Sequence, residues 1–332
     1  MIFNPAHIEE ELQEIQRRNS STEARTTILN LVVFSTLTNS SLADAALGQV
    51  LGKRAARVIH VMESNAASSD VHVSARCYLD RERKSVCFQE VQITSGADGV
   101  GSAPGTWTPL LVRDIPTYLV WLSGISGHTT LLYQAQEQAD KLLIDSESNS
   151  AGGENPISLY HALTTDARSA GVAVSDFAWQ RLRPLRTLTA HVFDSAYTID
   201  RLRQIKSIRM DGTPAVFTEL YIAWLAGRLS WRGKHGELRD QQGRPITIRS
   251  APVSPESDQG KAHVRFDFHQ GAAIEILADN SRGCARVTGA PHLAQKRVYR
   301  VPSNGEILLN EIDSVHNEYL YNEAVETLLR TH

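Results

Sequence analysis

TTILNLVVFST, residues 26–36, decides how the first half of the chain reads. Its dense β-branched and apolar side chains predict a buried strand. Residues 42–53 follow with a helical pattern, and ARVIHVM, residues 56–62, predicts a second strand. Working outward, Val71 to Leu79 and Val86 to Thr94 predict a third and a fourth strand. Strands that alternate with helices predict a sheet covered by helices on at least one face. The short spacing between the third and fourth strands favours a hairpin, and so a mixed sheet.

Upstream, Asn4-Pro5 is a helix start, and Ile8, Leu12 and Ile15 form a narrow apolar stripe. Downstream comes a Gly-rich loop, SGADGVGSAPG at 95–105. A short helix carrying PLLVRDIP, a strand in TYLVWLSG, a helix at 131–139 and a strand at 141–145 follow. The polar stretch SESNSAGGENP, residues 146–156, reads as a surface loop near a domain boundary. Beyond it, Asp176 is a candidate cap for a helix from Phe177 that Pro184 kinks or restarts. Thr213-Pro214 opens a core helix. Residues 233–260 are polar and turn-rich. HVRFDFH (263–269) and AAIEIL (272–277) alternate with period two around Gly271, which predicts antiparallel strands. Cys284–Thr288 and Lys296–Val301 predict two more, and a single helix is expected from about Glu311 to Arg330. The expected fold is α/β to α+β in two domains. Residues 1–155 would hold a mixed sheet with flanking helices, and residues 156–332 helices plus an antiparallel sheet.

The chain has 332 residues, and cores tend to split beyond roughly 250–300 residues. Hydrophobic residues make up 42% and charged residues 21%, as in a folded protein, and the net charge of −3 disfavours bulk nucleic-acid binding. The three cysteines, Cys77, Cys87 and Cys284, are odd in number and widely spaced, which argues for reduced cytosolic thiols. The first residues lack the charge and apolar pattern of a signal peptide, and no membrane span is expected.

Catalytic motifs are not found. Gly227 to His235 resembles a nucleotide loop, but it has the wrong spacing, follows a helix and ends in His235 where a hydroxyl is needed. The glycines at 96, 99, 101 and 105 do not fit dinucleotide spacing. His263 and His269 lie six residues apart in a strand, roughly 20 Å, too far to share a metal. His128, His161 and His191 stand alone in sequence. No metal or cofactor is expected. One local feature is unusual: Arg181, Arg183, Arg186, Arg201, Arg203, Lys206 and Arg209 face only Asp194 and Asp200. The bland reading is a solvated helix face with internal ion pairs. The sharper one is an anion-binding or docking surface, because the guanidinium fork binds carboxylate or phosphate and Arg with Trp is common at interface hot spots.

DFAWQRLRPLR (176–186) resembles the D-L-N-W-x-R-L-x-x-W-R signature of the glucose-6-phosphate dehydrogenase assembly protein (OpcA) family. Asp176, Trp179, Arg181, Leu182 and Arg186 match it, Leu185 replaces a tryptophan and Phe177 a leucine. PLLVRDIPTYLVWL (109–122), LLIDSES (142–148), TTILNLVV, RAARVIHV and AWLAGRLSWR are similar to further runs of that family, in order across residues 26–232. The resemblance implies a bacterial, cytoplasmic, non-catalytic protein that assembles with or activates glucose-6-phosphate dehydrogenase in the pentose phosphate pathway. On this reading Trp179, Arg181, Arg183 and Arg186, with Arg113 and Asp114, are the candidate partner-binding residues. Asp114 and Asp176 read as helix caps or arginine partners. Relatives often carry a cysteine pair near the fourth strand. Here Cys87 is followed by Phe88, Gln89 and Glu90, which leaves Cys77 and Cys87 as weak redox candidates. The alternative is a sugar-phosphate-binding protein or enzyme that uses the arginine patch around 181–209.

Overall fold

A computed structural model describes residues 4–19, 27–51, 53–79, 85–124, 129–151, 157–163, 171–196, 198–234, 237–251, 260–293, 295–316 and 318–331. Contacts divide the chain into two units. The first takes Met1–Glu154, Ala162–Phe177 and Ser303–Asn317; the second takes Asn155–His161, Ala178–Pro302 and Glu318–His332.

In the first unit α1 (Pro5–Asn19) precedes β1 (Leu29–Thr36), α2 (Ser40–Val50), β2 (Ala56–Glu63), β3 (Asp70–Leu79) and β4 (Ser85–Ser95). Next come α3 (Pro104–Trp107), a 3-10 turn, β5 (Thr117–Trp121), α4 (Thr129–Gln136), β6 (Lys141–Ile144), α5 (Ser146–Ala151), a helical stretch α6 (157–163) and β7 (Ala173–Asp176). The seven-stranded sheet runs β3-β4-β2-β1-β5-β6-β7. Only β3 is antiparallel to its neighbour; the other six strands are parallel. Those six, numbered along the chain, stand in the order 3-2-1-4-5-6 of the doubly wound dinucleotide-binding sheet.

The alternation of β1 explains the layers. Leu29, Leu31 and Val33 face a core with Ala43, Ala46, Leu47 and Val50 of α2. On the other face Phe34 stacks on Trp121 at 4.7 Å and meets Trp107 edge-on at 5.7 Å. Late in the chain, α9 (Asn304–Glu311) returns to this unit through Ile307, Leu308 and Ile312. Buried Lys141 holds it there, donating to Ser314 O at 2.7 Å and pairing with Glu311 at 2.6 Å.

The second unit contains α7 (Phe177–Val192), which enters it at Ala178, then β8 (Ile205–Asp211), α8 (Ala215–Arg228) and β9 (Arg232–Lys234). They are followed by β10 (Glu237–Arg239), β11 (Pro245–Ala251), β12 (Lys261–Phe268), β13 (Ile274–Asp279), β14 (Cys284–Thr288), β15 (Lys296–Val298) and α10 (Tyr319–Thr331). The eight-stranded sheet has the order β15-β14-β13-β12-β8-β11-β10-β9. Its pairs are antiparallel except β8 with β11, so this sheet too is mixed. The strict alternation of β12 puts Ala262, Val264, Phe266 and Phe268 inside, where Phe193 meets Phe266 edge-on. The opposite face is polar.

Four local expectations are corrected. The polar stretch from residue 146 begins with helix α5, whose first residue is buried because Ser146 donates through N and Oγ to Asp176. PLLVRDIP is helical only to Leu110, because Asp114 takes a positive φ of 62° and Ile115 precedes a proline. The polar region after 233 holds β9, β10 and β11. The closing helix is two helices, the first begun by a capping box between Ser303 and Glu306. Residues 152–156, His128, His235 and 252–259 lie outside the described residues. In the β3–β4 pair Cys77 stands directly opposite Cys87. The redox reading of their side chains lies outside what is described. Among the described residues no helix is long and apolar enough to cross a membrane.

Candidate functional site

In a doubly wound sheet ligands approach the carboxyl ends of the strands where the winding reverses, here beside β1, between β2 and β5. A cleft of about 470 Å³ opens nearby, lined by Thr36, Thr38, Glu63, Ser64, Ser95 and Ser102 among others. A dinucleotide would need glycines after β1 so that backbone N–H groups can approach the pyrophosphate. The turn is instead Thr36-Leu37-Thr38-Asn39, and Asn39 occupies it. Its Oδ1 accepts from Thr36 N at 2.8 Å, and its Nδ2 donates to Leu122 O at 2.6 Å, tying the end of β1 to the chain leaving β5.

The Gly-rich loop after β4 is also committed to itself. Gly96 and Gly101 N–H both donate to Ser69 Oγ at 3.0 Å. Val100 N–H goes to Asp98, Ser102 N–H to Ser95 Oγ, and Ala97 and Gly99 N–H to backbone carbonyls. Hydrogen bonds from the Ser69 hydroxyl and N–H hold the Asp98 carboxyl below the usual carboxylate range. A Cβ at Gly96 would lie 2.6 Å from the Ser68 carbonyl carbon, so the loop is seated directly on its neighbour. Only Glu63, at the end of β2, stands where a ribose-binding acid belongs. The residues present do not fit a dinucleotide.

A second arrangement has the look of nucleophile chemistry. Ser35 Oγ lies 2.8 Å from His60 Nε2, and His60 Nδ1 lies 3.7 Å from Asp44. Ser35 has 0% exposure, so no substrate reaches it. Burial lowers the His60 pKa, opposed by the charges of Asp44 and Glu90. This is a polar link between β1, β2 and α2.

The signature helix α7 places its residues unequally. Trp179, Leu182, Arg186, Thr189 and Phe193 lie on one buried stripe. The Arg186 guanidinium sits 3.4 Å over the Trp179 ring, donates to Trp179 O at 3.3 Å and faces Glu318 at 3.7 Å. Gln180 donates to the same Glu318 at 2.8 Å. Burial brings the Arg186 pKa down to about 10 against the pull of Glu318, which leaves it charged at neutral pH. Trp179 Nε1 and Arg186 Nε have no hydrogen-bond partner among the described residues. The helix passes through Pro184, which cannot donate to Gln180 O.

Of the candidate docking residues, Arg181 is half-buried, Arg183 is exposed, and Trp179 and Arg186 face the interior. Arg113 and Asp114 are exposed in the turn before β5; Asp114 is a turn residue and not a helix cap. Asp176 receives Ser146. Within the basic run 181–209 several cations are already engaged. Arg201 donates to Ala272 O and approaches the Phe268 ring, and Arg209 pairs with Asp211. Sequence reasoning missed Asn39, Ser69 and Glu318, which act through partners far away in the chain. Among the described residues no group of three or more His, Cys, Asp or Glu could hold a metal.

Two family profiles match the chain: the glucose-6-phosphate dehydrogenase subunit N-terminal domain over residues 49–162, and the C-terminal domain of the same subunit over residues 172–325. An OpcA protein of Nostoc punctiforme, provisionally named for the OxPP cycle, is 27% identical over 165 residues, 48% of this chain and 34% of that one. Its namesake in Synechocystis is 23% identical over 163 residues, 48% of this chain and 33% of that one. The match thus spans about a third of the length of these curated relatives. Among solved structures, an oxidoreductase domain protein from Kribbella flavida aligns with a TM-score of 0.49 at 11% identity, over 91% of this chain and 95% of that one. GenD2 from gentamicin A biosynthesis, solved with NAD, aligns with a TM-score of 0.43 at 11% identity, over 94% and 95%. The two profiles together run through both units and include the signature helix, and the chain belongs to the glucose-6-phosphate dehydrogenase assembly (OpcA) family.

Proposed function

We propose that this chain is a non-catalytic cytoplasmic subunit that binds glucose-6-phosphate dehydrogenase and shifts it toward its active form. The observation that carries the non-catalytic part is the closed switch point. The sheet has dinucleotide-binding order, yet Asn39 ties the β1 turn to Leu122 and the loop N–H groups after β4 serve their own loop. The dehydrogenase partner is supported by the family, whose two domains are both described as parts of a subunit of that enzyme. Activation requires that the subunit bind the active state of its partner more tightly than the inactive one. Exposed Arg183 and Arg113 are the docking contacts of this reading; buried Trp179 and Arg186 shape the helix that presents Arg183.

The test mixes the purified chain with the dehydrogenase of the same organism. Light scattering after gel filtration reports the complex, and NADPH formation reports the rate. A complex with a raised rate is expected. Separate elution with an unchanged rate would sink the proposal.

A further inference from the structure

The polar face of the eight-stranded sheet carries a row of side chains that the proposed function does not use. Read across the register, Asp211 on β8 stands opposite His263 on β12, His263 opposite Leu277 on β13, Leu277 opposite Arg286 on β14, and Arg286 opposite Lys296 on β15. All five line one cleft of about 710 Å³. One end of the row is acidic, the middle is an exposed leucine at 43%, and the other end is two adjacent cations.

The cations are the unusual part. Like charges directly opposite each other on antiparallel strands repel and destabilise the pair. The carboxylates that line the cleft are engaged elsewhere. Asp211 takes Arg209 at 2.6 Å and the Ala251 N–H, and Asp279 takes Ser281 and Arg282. Among the described residues no ion pair neutralises Arg286 or Lys296. Two neighbouring cations without a carboxylate make a seat for a multivalent anion, and phosphate oxygens accept from both guanidinium and ammonium.

The remainder of the row sets what the anion is attached to. Two strand spacings separate Arg286 from His263, about 10 Å. Leu277 between them offers an apolar platform, and at the far end His263, its Nε2 buried 3.8 Å from Glu275 and its Nδ1 3.9 Å from Asp211, makes a polar edge together with the Asp211 carboxylate. We propose that this face binds a small phosphorylated polyol such as a sugar phosphate, with the phosphate on Arg286 and Lys296, the ring over Leu277 and hydroxyls toward His263 and Asp211. The site lies on the polar sheet face, away from helix α7, and does not depend on any dehydrogenase partner.

The experiment is calorimetric titration of the full chain at low salt with inorganic phosphate, glucose 6-phosphate and glucose. The variants are the Arg286→Ala/Lys296→Ala double substitution and, as a control for bulk charge, Arg17→Ala on α1. Expected are saturable binding of both phosphates, tighter for the sugar phosphate, and none of glucose. The double variant should bind at least about tenfold more weakly, and Arg17→Ala should bind as the parent does. Phosphate should raise the melting temperature of the parent but not of the double variant. Without ligand the double variant should melt no lower than the parent, because the facing cations repel. Absence of saturable binding, binding that survives the double substitution, or equal weakening by Arg17→Ala would each overturn the proposal. A double variant that melts well below the parent would show that the fold itself needs the cations, and would overturn it too. Inorganic phosphate binding as tightly as glucose 6-phosphate overturns the roles given to Leu277 and His263.

Discussion

Asn39 Nδ2 donates to Leu122 O across the point where the parallel sheet reverses its winding, at 2.6 Å. The same side chain accepts from Thr36 N, so one amide closes the β1 turn and anchors it to the neighbouring strand exit. Replacing Asn39 with Ala leaves both partners unpaired and should cost about 1–3 kcal/mol, read as a lower urea midpoint with unchanged slope. The variant should still bind no NADP, measured by nucleotide fluorescence, because the turn still lacks the glycines that a pyrophosphate needs.

On the proposed docking reading, substitutions in helix α7 should separate stability from partner binding. Trp179→Ala empties a fully buried site and should destabilise by about 3–5 kcal/mol. Glu318→Ala removes the carboxylate facing buried Arg186 and should cost about 1–3 kcal/mol, discounted because Glu318 is partly exposed. Arg186→Met replaces the cation by a group of similar bulk and should lie within about 1.5 kcal/mol of the parent. Arg183→Glu should leave the melting temperature unchanged and weaken the complex with the dehydrogenase. An Arg183→Glu chain that melts lower would place that residue with the fold.

Acid should loosen the first unit through His60. Its pKa is lowered on folding by burial, so the unfolded chain binds the proton more readily. Stability from this group is complete well above its unfolded value of 6.5 and declines as pH falls from there toward the lower folded value. His60→Gln should flatten that decline in urea unfolding measured between pH 7.5 and about 5, at some loss of stability at the upper end. An identical pH slope in parent and variant would remove His60 from the account.

Late residues should matter to early strands. Leu308→Ala opens a cavity in the core built by β1 and α2, and a loss of about 2–5 kcal/mol is expected in thermal unfolding. Lys141→Ala should act on the same unit, because it strands Glu311, which is largely buried.

Much of this was legible. β1 and β2 announce themselves through runs rich in apolar and β-branched residues, and β12 and β13 through alternation around Gly271. The order of the strands was not, because it depends on pairings such as Asn30 with Thr117 that no local pattern encodes. β10 and β11 are short or exposed, so their sequences look like loop. The start of α9 could have been found from Ser303 and Glu306, spaced as a capping box. Arg186 read as surface because arginine usually is. Its spacing of seven from Trp179 and four from Leu182 already put it on the apolar stripe. The composition of the signature therefore pointed to the surface for two residues, Trp179 and Arg186, that face the interior.

The segment Ser303–Asn317 belongs to the unit begun by β1, while the chain between Ala178 and Pro302 belongs to the other. During synthesis the first unit consequently cannot close when its last strand leaves the ribosome. Its core waits, with Leu47 and Val50 uncovered, for Ile307 and Leu308 to emerge more than a hundred residues later. A nascent chain stopped anywhere in between presents that apolar surface to chaperones and proteases, until Ile307 and Leu308 have emerged to cover it.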